Sequence, residues 1–120
     1  MTTITVCTTC RAEANREDKT LDPDGEAFFE RVQKAAQGHG ISVRGAACLM
    51  GCKQGCNVAI SDHGKMSYVM GRFDGTEDAA AAVVEYASHH RSQDTGIVPF
   101  REWPTGVKGH FVARIPPLDT

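Results

Sequence analysis

Five cysteines, at positions 7, 10, 48, 52 and 56, constrain this 120-residue chain more than any other feature. They form two tight groups: Cys7-x2-Cys10, then Cys48-x3-Cys52 with Cys56 close behind, and 37 residues separate Cys10 from Cys48. Such an arrangement is a poor disulfide framework. Pairs two or three residues apart close loops too short to staple a fold, and exported domains of this size rarely leave an odd thiol over. In a reducing compartment the same spacing reads as metal ligands or redox thiols. Met1 to Val6 carries neither the basic cluster nor the apolar run of an export leader, so a cytoplasmic location is expected.

Length and charge remove several function classes. A mass of 13.0 kDa suits one compact domain and is short for two. No apolar stretch approaches the ~18 residues of a membrane span. A formal net charge of −2 leaves no basic field for gripping phosphates, so neither nucleic acid nor membrane is an expected partner.

Hydrophobic periodicity orders the elements as β-α-β-β-β-α. Ile4-Thr5-Val6 alternates as a strand and runs straight into Cys7; Arg11 to Asp24 is polar and reads as a surface loop. Phe28, Phe29, Val32, Ala35 and Ala36 form one helical stripe after Asp24-Gly25, and Gly38 and Gly40 stop it. Ile41 to Val43 and Val58 to Ile60 read as strands, and Met66 to Met70 pairs back on the latter through an Asp62 to Lys65 turn. Thr76 caps a second helix with Glu77 and Asp78 in its first turn, while His89, His90 and Arg91 complement the dipole at its end. The first two strands should be parallel, joined by a right-handed helical crossover. The expectation is an α/β (α+β) domain over residues 1–92 with a mixed sheet of four to five strands and two main helices. Residues 93–120, with four of the five prolines and the only Trp, should form an irregular extension. It should pack on the domain or on a second subunit through Trp103 and Phe111, with a short edge strand near His110 to Ile115.

Each cysteine pair follows a strand. If those strands are parallel neighbours, Cys7, Cys10, Cys48 and Cys52 converge at one edge of the sheet. Four thiolates are the donor set of zinc or of an iron–sulfur cluster. Gly45, Gly51 and Gly55 surround the second group, where backbone N–H groups can approach sulfur closely. Arg11, Arg44 and Lys53 lie beside the cysteines in sequence, either as counter-ions to a buried negative centre or as solvated loop charges. Cys56 is either an alternative ligand or adjacent free thiol, or a small buried hydrophobe opening the third strand. The five histidines make no ligand set by spacing: His39, His63 and His110 read as surface. Met50, Met66 and Met70 fill gaps in the core or screen a cluster from water. No phosphate loop, Ser/His/Asp set or paired-carboxylate site stands out, so an enzyme is not indicated.

The run Cys48-Leu49-Met50-Gly51-Cys52-Lys53-Gln54-Gly55, followed by a strand, resembles the second ligand pair of the thioredoxin-like [2Fe-2S] ferredoxins. That likeness covers roughly residues 4 to 90. A second likeness spans nearly the whole chain. Cys7-x2-Cys10-Arg11, Cys48/Cys52/Gly55-Cys56 with Val58-Ala59, Lys65 before Tyr68, and the tail ending Ala113-Arg114-Ile115-Pro116 resemble the family known as DUF1636. Its members are described as predicted metal-binding proteins, often encoded near cobalamin or cobalt-handling genes in bacteria. These resemblances imply a [2Fe-2S] cluster on Cys7, Cys10, Cys48 and Cys52 in a thioredoxin-like ferredoxin fold. They further imply a one-electron carrier, with a reductase or acceptor enzyme as redox partner and a homodimer as its assembly. Two positions depart from the ferredoxin pattern: the x2 gap between the first cysteines is short, and Cys56 stands where proline is usual. The alternative reading is a structural or carrier protein holding zinc or cobalt on the same thiolates. A Cys7/Cys10 thiol oxidoreductase is less well supported, because Arg11 to Asp18 offers no apolar stripe for the helix that such a thiol needs.

Overall fold

In a computed structural model, the structure describes residues 2–8, 24–46, 56–73 and 76–117, with Asp24 and Cys56 described by their backbone alone. The elements are β1 (Thr3–Cys7), α1 (Asp24–Ala36), β2 (Ser42–Ala46), β3 (Cys56–Ser61), β4 (Ser67–Phe73), α2 (Glu77–Ser92) and β5 (Phe111–Ile115). Five strands form one mixed sheet in the order β2-β1-β3-β4-β5. β1 and β2 are parallel, and every other neighbouring pair is antiparallel. This is an α+β fold, and its order of strands and helices is the one the hydrophobic pattern predicts.

Alternation along the strands decides which face the helices cover. Ile4 opposes Ile60, Val6 opposes Val58, Val58 opposes Met70 and Ile60 opposes Tyr68, so these side chains share one face. They join Phe28 and Val32 of α1 and Val83, Val84, Tyr86 and Ala87 of α2 in a single buried core. Phe29, Met66 and Trp103 pack at its margin, whereas Met70 is fully buried. The opposite face carries Thr3, Thr5, Arg44, Ala59, Ser61 and Val69; there Arg44 Nε donates to Thr5 Oγ1 at 2.8 Å. Arg44 is thus a strand residue bonded across the ladder instead of a loop charge.

The helix ends follow their local chemistry. Thr76 is the N-cap of α2, its Oγ1 accepting from the Ala79 amide at 3.2 Å. At the far end His90 departs from expectation. It is completely buried instead of serving as a solvated cation for the dipole, and Lys65 of the β3–β4 hairpin fills that role. The Lys65 ammonium donates to the last-turn carbonyls of His90 and Arg91 at 3.2 and 2.9 Å. The extension contains two short 3-10 turns, Phe100–Glu102 and Thr105–Val107, that the sequence pattern does not signal. Trp103 anchors it, packing edge-on against Tyr86 and tilted against Phe111, and donating Nε1–H to Val98 O at 2.9 Å. β5 lies at an edge and stops before Pro116.

Candidate functional site

Three chain passages meet at one end of the sheet, the end at which β1 and β2 finish. Cys7 is the last residue of β1 and pairs with Ala46, the last of β2. The Thr8 amide donates to Ala46 O at 2.8 Å, and the Thr8 hydroxyl donates to the same carbonyl at 3.2 Å. Chain order and strand pairing together produce this coincidence: a parallel β1–β2 pair must finish at a common end. β3 runs antiparallel to β1 with Val6 opposite Val58, so its first residue, Cys56, starts at that same end. Across the sheet Cys56 opposes Phe73, the last residue of β4.

β4 also carries an extra residue here. Three steps separate Phe73 from Met70 where two separate Cys56 from Val58, and Arg72 takes up the irregularity with a φ of 64°. Beside it His110, half-buried instead of on the surface, donates Nδ1–H to Gly71 O at 2.8 Å and stacks on Phe73 with centroids 4.4 Å apart.

Both helices begin at this end of the sheet. The first turn of α1 lies directly on the end of β1: a Cβ built at Gly25 would sit 2.7 Å from Thr8 C and 2.9 Å from Thr8 O, and closer still to Cys7 O. Only a residue without a side chain permits that approach. α2 starts at Glu77, shortly after β4 ends at Phe73. Each helix therefore directs its partial positive terminus toward the place where the cysteine-bearing segments start and finish.

Of the predicted ligands, Cys7 alone has a described side chain. It has no solvent exposure and, by alternation, falls on the same face as Thr5. Cys10, Cys48 and Cys52 lie outside the described residues, as do Arg11, Lys53, Met50 and most of the predicted 11–24 loop. β3 begins at Cys56, whose thiol is likewise outside what the structure describes. Among the described residues no three His, Cys, Asp or Glu side chains come together as a metal site. Nor is any helix among them long and apolar enough to cross a membrane.

A family model described as "Protein of unknown function (DUF1636)" matches residues 4–117. The chain belongs to the DUF1636 family. No curated protein matches it, and no solved structure does. The matched DUF1636 region takes in all five strands but for the first residue of β1, both helices and every cysteine.

Proposed function

We propose that this DUF1636 chain holds a [2Fe-2S] cluster on Cys7, Cys10, Cys48 and Cys52 and carries single electrons between protein partners. The observation that supports the reading is the common end reached by β1, β2 and β3. Cys10 is two residues beyond Thr8 and Cys48 two beyond Ala46, so covalent reach at about 3.5 Å per residue keeps each within ~7 Å of that edge. The paired strand ends bring to one edge the points from which the chain enters both cysteine groups, although the groups are far apart in sequence.

Charge supports the same reading. Two ferric ions, two sulfides and four thiolates leave a doubly negative centre, which an added electron makes triply negative. Two helix N-termini facing that end would favour such a charge, each by roughly 0.3–1 kcal/mol where solvent reaches them and by more where it does not. The chemistry that the cluster would supply is one-electron exchange. The chain's own part is to hold four sulfurs, donate backbone N–H groups and keep the cysteine edge close to the surface. Its resemblance to thioredoxin-like ferredoxins points the same way.

The second reading, zinc or cobalt on the same four thiolates, draws on the same convergence and differs in the metal alone. Iron and acid-labile sulfide analysis of anaerobically purified protein, with electron paramagnetic resonance after reduction, separates the two. About two irons and two sulfides per chain with a reduced-state signal is the expected outcome. A colourless protein with stoichiometric zinc establishes the second reading instead, and a metal-free chain with a reversible Cys7–Cys10 disulfide defeats both. Cys48→Ser and Cys52→Ser should each lose or alter the cluster, while Cys56→Ala should keep it. Loss in Cys56→Ala moves the fourth ligand to Cys56.

A further inference from the structure

The sheet face that neither helix covers carries a line of hydroxyls at the end remote from the cysteines. Thr3 of β1 opposes Ser61 of β3, and the β3–β4 register runs on from Ala59–Val69 and Ile60–Tyr68 to place Ser61 beside Ser67. Ser67 in turn opposes Ile115 of β5. Each of the three has a core residue next to it in its own strand, Ile4, Ile60 or Tyr68, so alternation sends every hydroxyl to the outer face. All three residues are half-buried, and among the described residues none of these hydroxyls has a hydrogen-bond partner.

Arg44 stands one row further along the same face. Its Nε is fixed on Thr5 Oγ1 at 2.8 Å, and no carboxylate among the described residues pairs with it, so its two Nη groups remain as an unused fork. Arg44, Thr3, Ser61 and His63 line a cleft of about 290 Å³. Asp62, the carboxylate in that lining, is already engaged. Its Oδ1 accepts from the His63 amide at 2.7 Å, and its Oδ2 lies 3.6 Å from Lys65 Nζ and 3.4 Å from Thr2 Oγ1. Past His63 a second cleft, of about 630 Å³, continues over Ser67 to an exposed apolar wall of Ile115, Pro116 and Pro117.

We propose that this face binds a small phosphate monoester. Its phosphate lies between the Arg44 fork and the Thr3 and Ser61 hydroxyls, and its apolar part runs along Ser67, Ile115 and Pro116. The donor count selects the anion. Two Nη groups satisfy both oxygens of a carboxylate by themselves, whereas a phosphate has a third unesterified oxygen for the paired hydroxyls to reach. One fork is not a basic field, which fits a small ester and not a nucleic-acid backbone. Two adjoining clefts, one polar and one walled by apolar side chains, suit a ligand with a charged end and a greasy end. Four strand residues, at ~3.3 Å each, separate Thr3 from Cys7, so the site lies about 13 Å from the cysteine edge and is independent of any metal there.

The test is calorimetric titration of the full-length protein, in phosphate-free buffer, with phenyl phosphate, inorganic phosphate and benzoate, mapped by the amide shifts of Thr3, Arg44, Ser61 and Ser67. Phenyl phosphate should bind saturably and at least about fivefold more tightly than inorganic phosphate, the gain from burying roughly 40 Å² of its ring. Benzoate, which leaves the hydroxyls unmet, should bind about tenfold more weakly than phenyl phosphate. Arg44→Gln should weaken phenyl phosphate by about tenfold or more, and Arg44→Lys, which keeps the charge and loses the fork, by at least about fivefold. Should Arg44→Gln fail to fold, Ser61→Ala serves, with a loss of about fivefold. Arg101→Gln, on the extension, should change nothing. Absence of saturable binding overturns the site, as does full rescue by Arg44→Lys or an unchanged affinity in Ser61→Ala. Benzoate or inorganic phosphate binding as tightly as phenyl phosphate overturns the assigned ligand class, and an equal loss in Arg101→Gln reduces the effect to diffuse charge and overturns it too.

Discussion

Gly25→Ala tests whether α1 seats on the cysteine-bearing edge. Two effects compete at this position. Alanine favours a helix over glycine by as much as ~1 kcal/mol, so propensity alone predicts stabilisation. Against it stands the backbone of Cys7 and Thr8. The added methyl would lie 2.7 Å from Thr8 C and 2.9 Å from Thr8 O, and both neighbours are main chain held in the β1–β2 ladder. Ordinary contact begins near 3.5 Å and Cys7 O lies nearer still, so the first turn of α1 must retreat by more than about 0.8 Å. Over-packing this severe falls at the upper end of the usual range, roughly 2–3 kcal/mol, which outweighs the propensity gain and leaves a net loss of about 1–2 kcal/mol. With an unfolding entropy of roughly 0.25 kcal/mol/K for a chain of this length, the melting temperature should fall by about 4–8 °C. Circular dichroism melts measure the shift, and the iron content of the purified variant reports on the site. Gly38→Ala is the control: it strains a φ of 83° with no neighbour in contact, at the opposite end of α1, so it should lower stability and leave iron content unchanged. A Gly25→Ala protein that melts at or above the parent temperature would show that propensity wins and that the close approach does not exist.

Two further outcomes test the helix end and the extension. Thr76→Ala removes the hydroxyl that accepts from Ala79 N and should cost about 1 kcal/mol, or ~4 °C in the same melts. Trp103→Phe keeps a ring against Tyr86 and Phe111 but loses the bond to Val98 O, at a cost of about 1 kcal/mol in urea unfolding; Trp103→Ala should cost about 2–4 kcal/mol. Equal losses in the two Trp103 variants would mean that the hydrogen bond, not the packing, anchors the extension.

β1 and β2 are secured to each other as far as Thr8, so the ladder holds up to the residue next to the first thiol. The proposed electron carrier would need such rigid strand ends to limit movement of its ligands. The other end of the sheet is closed differently, by a lysine on carbonyls and a histidine between three elements.

What the sequence determined by itself was local. The stripe from Phe28 to Ala36, the Thr76 cap and the alternation of Ile4 to Val6 are short-range patterns that one chain segment can satisfy alone, and each element formed where its pattern lay. The spacing of the cysteines was equally legible, but the expectation that the two groups converge depended on β1 and β2 being parallel neighbours, which the strand pairing shows, while Cys10, Cys48 and Cys52 lie outside the described residues. Tertiary structure decided whatever depended on partners distant in sequence. His90 sits at a helix end where a cation is expected, yet burial between Thr2 and Met66 favours the neutral ring, and Lys65, 25 residues earlier, supplies the charge. His110 reads as a tail residue until β4 and β5 pair and bring Gly71 and Phe73 against it. Arg44 reads as a neighbour of the cysteines, but parallel register gives it to Thr5. Gly25 looks like an ordinary residue in a helical first turn, and only the packing of α1 on β1 gives its missing side chain a purpose. Charge and packing preferences are settled by whichever neighbours the fold delivers, and the linear pattern does not encode which those will be.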